Sequence, residues 1–200
     1  PSPAVGVGER SVRVLSKNRA YDGFFKIDRY DLEQTSDGRA FRMTREVFSR
    51  GKAAAILLYD PVLDQVLAVE EFRIGYLAAG FPAEESFNMG PIAGIVDPGE
   101  SPEAAALREA SEEAGVTVRE DDIVLRMDIA PSPGGSDEMV SLFLATADLS
   151  RVEPGRTFGQ AGEAEMTWCH VMAREDALRM VTERPCSGHL TSLVMRLQIA

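Results

Sequence analysis

The stretch Gly94 to Val116, GIVDPGESPEAAALREASEEAGV, decides how the rest of the chain is read. Ser101 can cap free helix amides, Pro102 fits the first helical position and Glu103 suits the positive end, so a helix is predicted to begin here. Ala104 to Ala106 propagate it, and Gly115 supplies the left-handed residue that commonly closes a last turn. At about 100° per residue, Leu107, Ala110 and Ala114 share an apolar arc, while Glu109, Glu112 and Glu113 gather on the other side. Glu109 and Glu113 form a like-charge i,i+4 pair near the negative pole of the helix, so each neighbour costs roughly a few tenths of a kcal/mol. Arg108 alone cannot neutralise three carboxylates plus Glu100. A cluster of hard oxygen donors suits a divalent cation, Mg2+ above all when a phosphate completes its shell.

The 200 residues, 44% hydrophobic and 26% charged, suit one globular domain with a small appended subdomain. A formal net charge of −11 argues against nucleic acid as a partner, since a broad phosphate-binding surface wants a basic stripe. A small phosphorylated substrate remains compatible, bound through a metal and a few placed arginines. Cys169 and Cys186 are too few for a disulfide framework and read as reduced thiols of a cytoplasmic protein; His170 and His189 do not cluster with them at zinc spacing. No segment approaches the ~18 apolar residues of a membrane span, and PSPAVGVGERSV lacks the features of a secretory signal.

Ser11 to Leu15, Gly23 to Glu33 and Arg39 to Phe48 read as extended, the last two joined by the hairpin turn Ser36-Asp37-Gly38. This region has many polar residues and is expected to be a small sheet leaning on something else. Lys52 to Tyr59 is a buried apolar strand, Asp60-Pro61 and Asp64-Gln65 turn it, and Val66 to Phe72 returns, with Arg73 at its end. Gly75 to Met89 reads as a loop long enough to cover a site. Strands are expected at Ile123 to Ile129, Met139 to Ala147 and Met166 to Val171, and helices at Arg174 to Glu183 and roughly His189 to Ile199. Arg151 to Gly162 reads as a long connection that ends in Glu163-Ala-Glu165. The predicted class is α+β.

Gly94, Glu100, Arg108-Glu109, Glu112-Glu113 and Gly115-Val116, at this spacing, resemble the Nudix box of hydrolases acting on nucleoside diphosphates linked to another group. Only Ala110 is smaller than the usual aliphatic residue. Arg45-Glu46-Val47-Phe48, Arg73, Ala93-Gly94, Ser132-Pro133-Gly134-Gly135 and Glu163-x-Glu165 look like the bacterial ADP-ribose pyrophosphatase branch of that family, Pro133 being the kind of residue that marks it. Gly90 departs from relatives that often carry an acid there.

The resemblance implies a Nudix-type α/β/α sandwich over residues 49–200 and a small N-terminal antiparallel sheet, residues 1–48, that pairs two subunits into a homodimer. It implies Mg2+, with Mn2+ as a possible substitute, held by Glu109, Glu113, the carbonyl of Ala93 and Glu165. Glu112 and Glu100 would complete the acidic pocket, Arg108 would orient the glutamates, and Glu163 would take a proton from the attacking water. Arg45 and Glu46 would serve the partner's adenosine site, with Phe24 or Phe25 stacking on the base, Pro133 and Gly134 in a substrate loop, and Arg73 on the diphosphate or terminal ribose. The implied reaction is hydrolysis of ADP-ribose to AMP and ribose 5-phosphate. Alternatives are another nucleotide sugar, such as GDP-mannose or ADP-glucose, or a non-catalytic ADP-ribose sensor.

Overall fold

The computed structural model describes residues 10–153, 155–158 and 166–199. These divide into two units, one comprising the described residues through Gly51 together with Ala130–Glu138, the other Lys52–Ile129 and Met139 onward.

The smaller unit is an antiparallel sheet of β1 (Arg10–Asp22), β2 (Lys26–Ser36) and β3 (Arg39–Ser49), in that order. Asp37 and Gly38 connect β2 to β3 with φ of 51° and 74°, the positive values that a two-residue hairpin needs. β1 runs well past the expected Ser11 to Leu15. Cross-strand charge pairs extend it where hydrophobic alternation is lacking: Arg13 with Glu33, and Lys17 and Arg19 both with the buried Asp28. The segment Ala130–Glu138 joins this unit through distant contacts. Phe48 donates its amide to Gly135 O at 2.8 Å, and Ser49 Oγ donates to Asp137 Oδ2 at 2.7 Å.

The larger unit runs β4 (Lys52–Asp60), β5 (Gln65–Phe72), α1 (Ile74–Ala78), β6 (Phe87–Gly90), β7 (Ile92–Ile95), α2 (Pro102–Ala114), β8 (Ile123–Ile129) and β9 (Met139–Thr146). It ends with β10 (Thr157–Phe158), β11 (Thr167–Ala173), α3 (Arg174–Glu183) and α4 (Gly188–Leu197). The sheet order is β10-β11-β5-β4-β9-β8, with β4 and β9 parallel. Side chains alternate between faces along each strand. Ala54, Ile56, Leu58, Leu67 and Val69 pack with Ala105, Ala106, Ala110 and Ala114 of α2. Ala55, Leu57, Val66 and Ala68 pack with Ala177, Val181, Leu190, Leu193 and Val194 of α3 and α4. The result is the α/β/α sandwich expected from the sequence.

β4 and β5 pair only from Leu58–Asp60 to Gln65–Leu67 and then part. Along the remainder, β7 takes the edge of β4, from Ala53 to Ile56, and β6 takes the edge of β5, from Val69 to Phe72. The expected covering loop therefore contains all but the first residue of α1, a short 3-10 turn at Glu84–Ser86 and all but the last residue of β6, and it is closed by Arg73 donating its amide to Ser86 O at 2.8 Å. The buried Asp60 fixes the β4–β5 turn. Its carboxylate accepts from the amides of Val62, Leu63 and Leu149 at 2.8, 3.0 and 2.9 Å. Among the described residues, no helix is long and apolar enough to cross a membrane.

Candidate active site

The ends of α2 are fixed by the residues that predicted them. Ser101 Oγ accepts from Ala104 N at 3.1 Å, and Gly115, at φ 64°, closes the last turn while Val116 donates to Ala110 O at 3.1 Å. With both ends set, the carboxylates of the last two turns have defined directions. They do not form one solvated face.

Glu113 turns toward the sheet, where its Oε2 accepts from the Ala93 amide of β7 at 3.3 Å. Its own carbonyl accepts from Cys169 Sγ at 3.3 Å, which ties α2 to β11. Burial, then the nearby charges of Glu71 and Glu109, push the Glu113 carboxyl up to about 8, against the opposing pull of the Ala93 amide and Arg73. Glu109 lies against Gly94 of β7. A Cβ built on that glycine would stand 1.8 Å from Glu109 Oε1, so the missing side chain is the space the carboxylate occupies.

Arg108 gathers the other acids. Nε and Nη2 donate to Glu100 at 3.1 and 3.3 Å, and Nη1 donates to Glu109 at 2.7 Å and to Glu112 at 3.0 Å. Nη2 also donates to Ile95 O at 3.3 Å. Glu100 is held below the usual carboxylate range by Arg108 and by the Asp97 amide. Glu100, Glu109 and Glu112 thus converge on one guanidinium, and Glu113 stands apart beside Ala93. Among the described residues no three acids are already drawn together as a metal cluster. The donor set nevertheless fits a hard cation: carboxylate oxygens at Glu109 and Glu113, with the Gly94 cradle leaving one of them room.

Glu163 and Glu165 lie outside the described residues. Arg73 stands at the end of β5, ion-paired with Glu71. Arg45, Glu46, Phe24, Phe25, Pro133 and Gly134 belong to the smaller unit. There Phe24 is 84% exposed, whereas Phe25 is flanked edge-on by Phe24 and Phe48 and covered by the Arg50 guanidinium at 4.8 Å. Sequence reasoning passed over Glu71, although strand alternation puts it on the face of Val69 and Arg73.

The family model described as NUDIX domain matches residues 49–185. The chain belongs to the NUDIX domain family. Two relatives extend the match beyond that domain. The protein is 35% identical over 181 residues to the ADP-ribose pyrophosphatase of Escherichia coli (strain K12), covering 90% of this chain and 83% of the relative. It is 33% identical over 177 residues to the ADP-ribose pyrophosphatase of Haemophilus influenzae, covering 88% and 80%. It is also 35% identical over 133 residues to the GDP-mannose pyrophosphatase of Yersinia pestis, covering 66% and 62%. The protein is accordingly a Nudix hydrolase.

Proposed function

We propose that this Nudix hydrolase cleaves the diphosphate of ADP-ribose, with water, to AMP and ribose 5-phosphate. The supporting observation is the reach of the ADP-ribose pyrophosphatase relatives. They match 90% and 88% of the chain, beyond the catalytic domain, whereas the GDP-mannose pyrophosphatase matches 66%. That second match keeps another nucleotide sugar as the alternative substrate.

The family's divalent metal is proposed to be Mg2+, held by Glu109, Glu113, the carbonyl of Ala93 and Glu165. When bound, such a cation neutralises diphosphate charge and lowers the pKa of a coordinated water. Arg108 keeps Glu100, Glu109 and Glu112 pointed toward one place, so that ordering these acids does not have to be achieved on ligand binding. The Ala93 amide fixes Glu113 Oε2. Glu163 is proposed to accept the proton of the attacking water, and Arg73 to contact the diphosphate or the terminal ribose. The proposed dimerisation element is the N-terminal sheet, residues 1–48, through which Arg45, Glu46 and Phe24 or Phe25 reach the partner's adenosine and Pro133 and Gly134 line the substrate loop. Exposed Val12, Val14, Tyr21 and Phe41 on this sheet, with Phe24 in the bend between β1 and β2, support a homodimer.

The test is a panel of ADP-ribose, ADP-glucose and GDP-mannose with chromatographic identification of products, run with Mg2+, with Mn2+ and with chelator. AMP and ribose 5-phosphate from ADP-ribose, lost with chelator, are expected. Preference for GDP-mannose would overturn the adenine assignment, and absence of hydrolysis with either metal would overturn the catalytic one.

A further inference from the structure

Strands β5 and β6 carry two residues that none of these roles uses, Glu71 and Gly90. Val69 lies in the core beneath α2, so Glu71 and Arg73, two and four residues on, point toward the same side of the sheet. Gly90 is the cross-strand partner of Val69. A Cβ built on Gly90 would stand 3.1 Å from Arg73 Nη2 and 3.9 Å from Ser187 Cβ. The Arg73 side chain therefore runs back along the sheet into room left by the glycine, and its Nη2 is ion-paired there with Glu71 Oε1.

The exposures of this pair differ in a useful way. The Glu71 side chain is 13% exposed, while that of Arg73 keeps 37% of its surface open to solvent. An isolated surface ion pair contributes little to stability. This one has its acid sheltered and its guanidinium open, which a pair serving stability alone does not need. A guanidinium is a rigid fork of five donors, so one nitrogen fixed from within leaves the fork aimed as a unit, suited to the oxygens of a phosphate.

We infer that Glu71 and Gly90 are positioning residues for the reaction: Glu71 holds, and Gly90 makes room for, the Arg73 guanidinium, which meets the substrate's diphosphate beside Glu113. The inference rests on the proposed diphosphate chemistry for the class of anion, and not on the identity of base or sugar.

Inorganic pyrophosphate, which carries neither base nor sugar, is the direct probe. Its binding is measured by calorimetric titration in the presence of Mg2+ for the wild type, Glu71→Ala, Glu71→Gln and Gly90→Ala, beside kcat and KM for ADP-ribose and the Tm of each protein. Glu71→Ala and Gly90→Ala are expected to weaken pyrophosphate binding about tenfold and to raise KM by a similar factor with kcat nearly unchanged, the signature of lost uniform binding. Glu71→Gln keeps an acceptor for Nη2 and should retain affinity within about threefold, since a neutral partner still orients the fork. If Glu71→Ala does not fold, Gly90→Ala decides, because its added methyl meets the far end of a flexible side chain. Unchanged pyrophosphate affinity in Gly90→Ala, or no binding by the wild type, overturns the inference. The expected affinity pattern in a protein that hydrolyses no ADP-ribose would leave the positioning intact and refute the substrate.

Discussion

The Glu109 carboxylate fills the space that a side chain on Gly94 would need, Oε1 lying 1.8 Å from the position of a Cβ there. Glu109 is also held by Arg108 Nη1 at 2.7 Å, so it cannot yield without disturbing the other acids. Gly94→Ala is therefore expected to lower kcat/KM for the preferred substrate by about 10²-fold, the scale of a misplacement of about 1 Å. The Tm should change little, because the displaced atoms end a side chain. Wild-type kinetics in Gly94→Ala would show that the position of Glu109 does not matter.

Arg108→Lys replaces a fork that reaches Glu100, Glu109, Glu112 and the Ile95 carbonyl with a single ammonium. The Mg2+ concentration giving half-maximal activity should rise about 10- to 100-fold, as for other groups that orient metal ligands. A titration of activity against Mg2+ gives the answer; an unchanged midpoint would contradict the orienting role.

The Glu113 carboxyl is raised to about 8, mainly by burial and then by Glu71 and Glu109. A carboxyl raised on folding holds its proton in the native state and loses it on unfolding, so its contribution is complete below the ordinary value of about 4.3 and disappears as pH climbs toward 8. In chelator, the wild-type Tm should fall between pH 5 and pH 8 more steeply than that of Glu113→Gln, which cannot ionise. The same variant should show no turnover at any pH. Parallel Tm profiles would refute the buried neutral acid.

Asp60 accepts from three amides, with Leu149 the largest and Leu63 next among the causes that keep its carboxyl below the usual range. A lowered carboxyl stabilises the fold above its unfolded value and loses that contribution as pH falls through the folded one. Asp60→Ala should lower the Tm by about 4–8 °C at pH 7, a range suited to losing a buried acceptor in a domain of this size. The gap from wild type should begin to narrow below about pH 4, where the unfolded carboxylate takes up a proton, and close as pH falls through the lower native value. Thermal scans across that range would expose a constant gap.

Features set by near neighbours could be read from the chain directly. Ser101 and Gly115 delimit α2 because capping is decided within one turn, and Asp37-Gly38 forms the hairpin because its φ values depend on those two residues. The burial of β4 was legible in its nearly continuous apolar run, since both faces of β4 and β5 have helix partners, while the α/β/α sandwich itself came from the family resemblance. What escaped depends on residues far apart. β1 extends through charge pairs to β2, and Ala130–Glu138 joins β3 through Phe48 and Gly135, partners 87 positions apart. A helical wheel placed Glu113 beside Glu112. Only the approach of β7 turns Glu113 onto the Ala93 amide, and only the glycine at 90 explains where Arg73 rests.

The parting of β4 and β5 has an evolutionary corollary. The excursion from Phe72 to Phe87 leaves and rejoins one strand edge, its base latched by the pairing of those two phenylalanines and by the Arg73 amide on Ser86. Residues can be inserted or exchanged at its tip without shifting the register of β7, and hence without moving Ala93 or Gly94. The molecule thus offers a replaceable cassette on one strand edge, a route by which one scaffold can vary this excursion while β7 and the acids of α2 stay where they are.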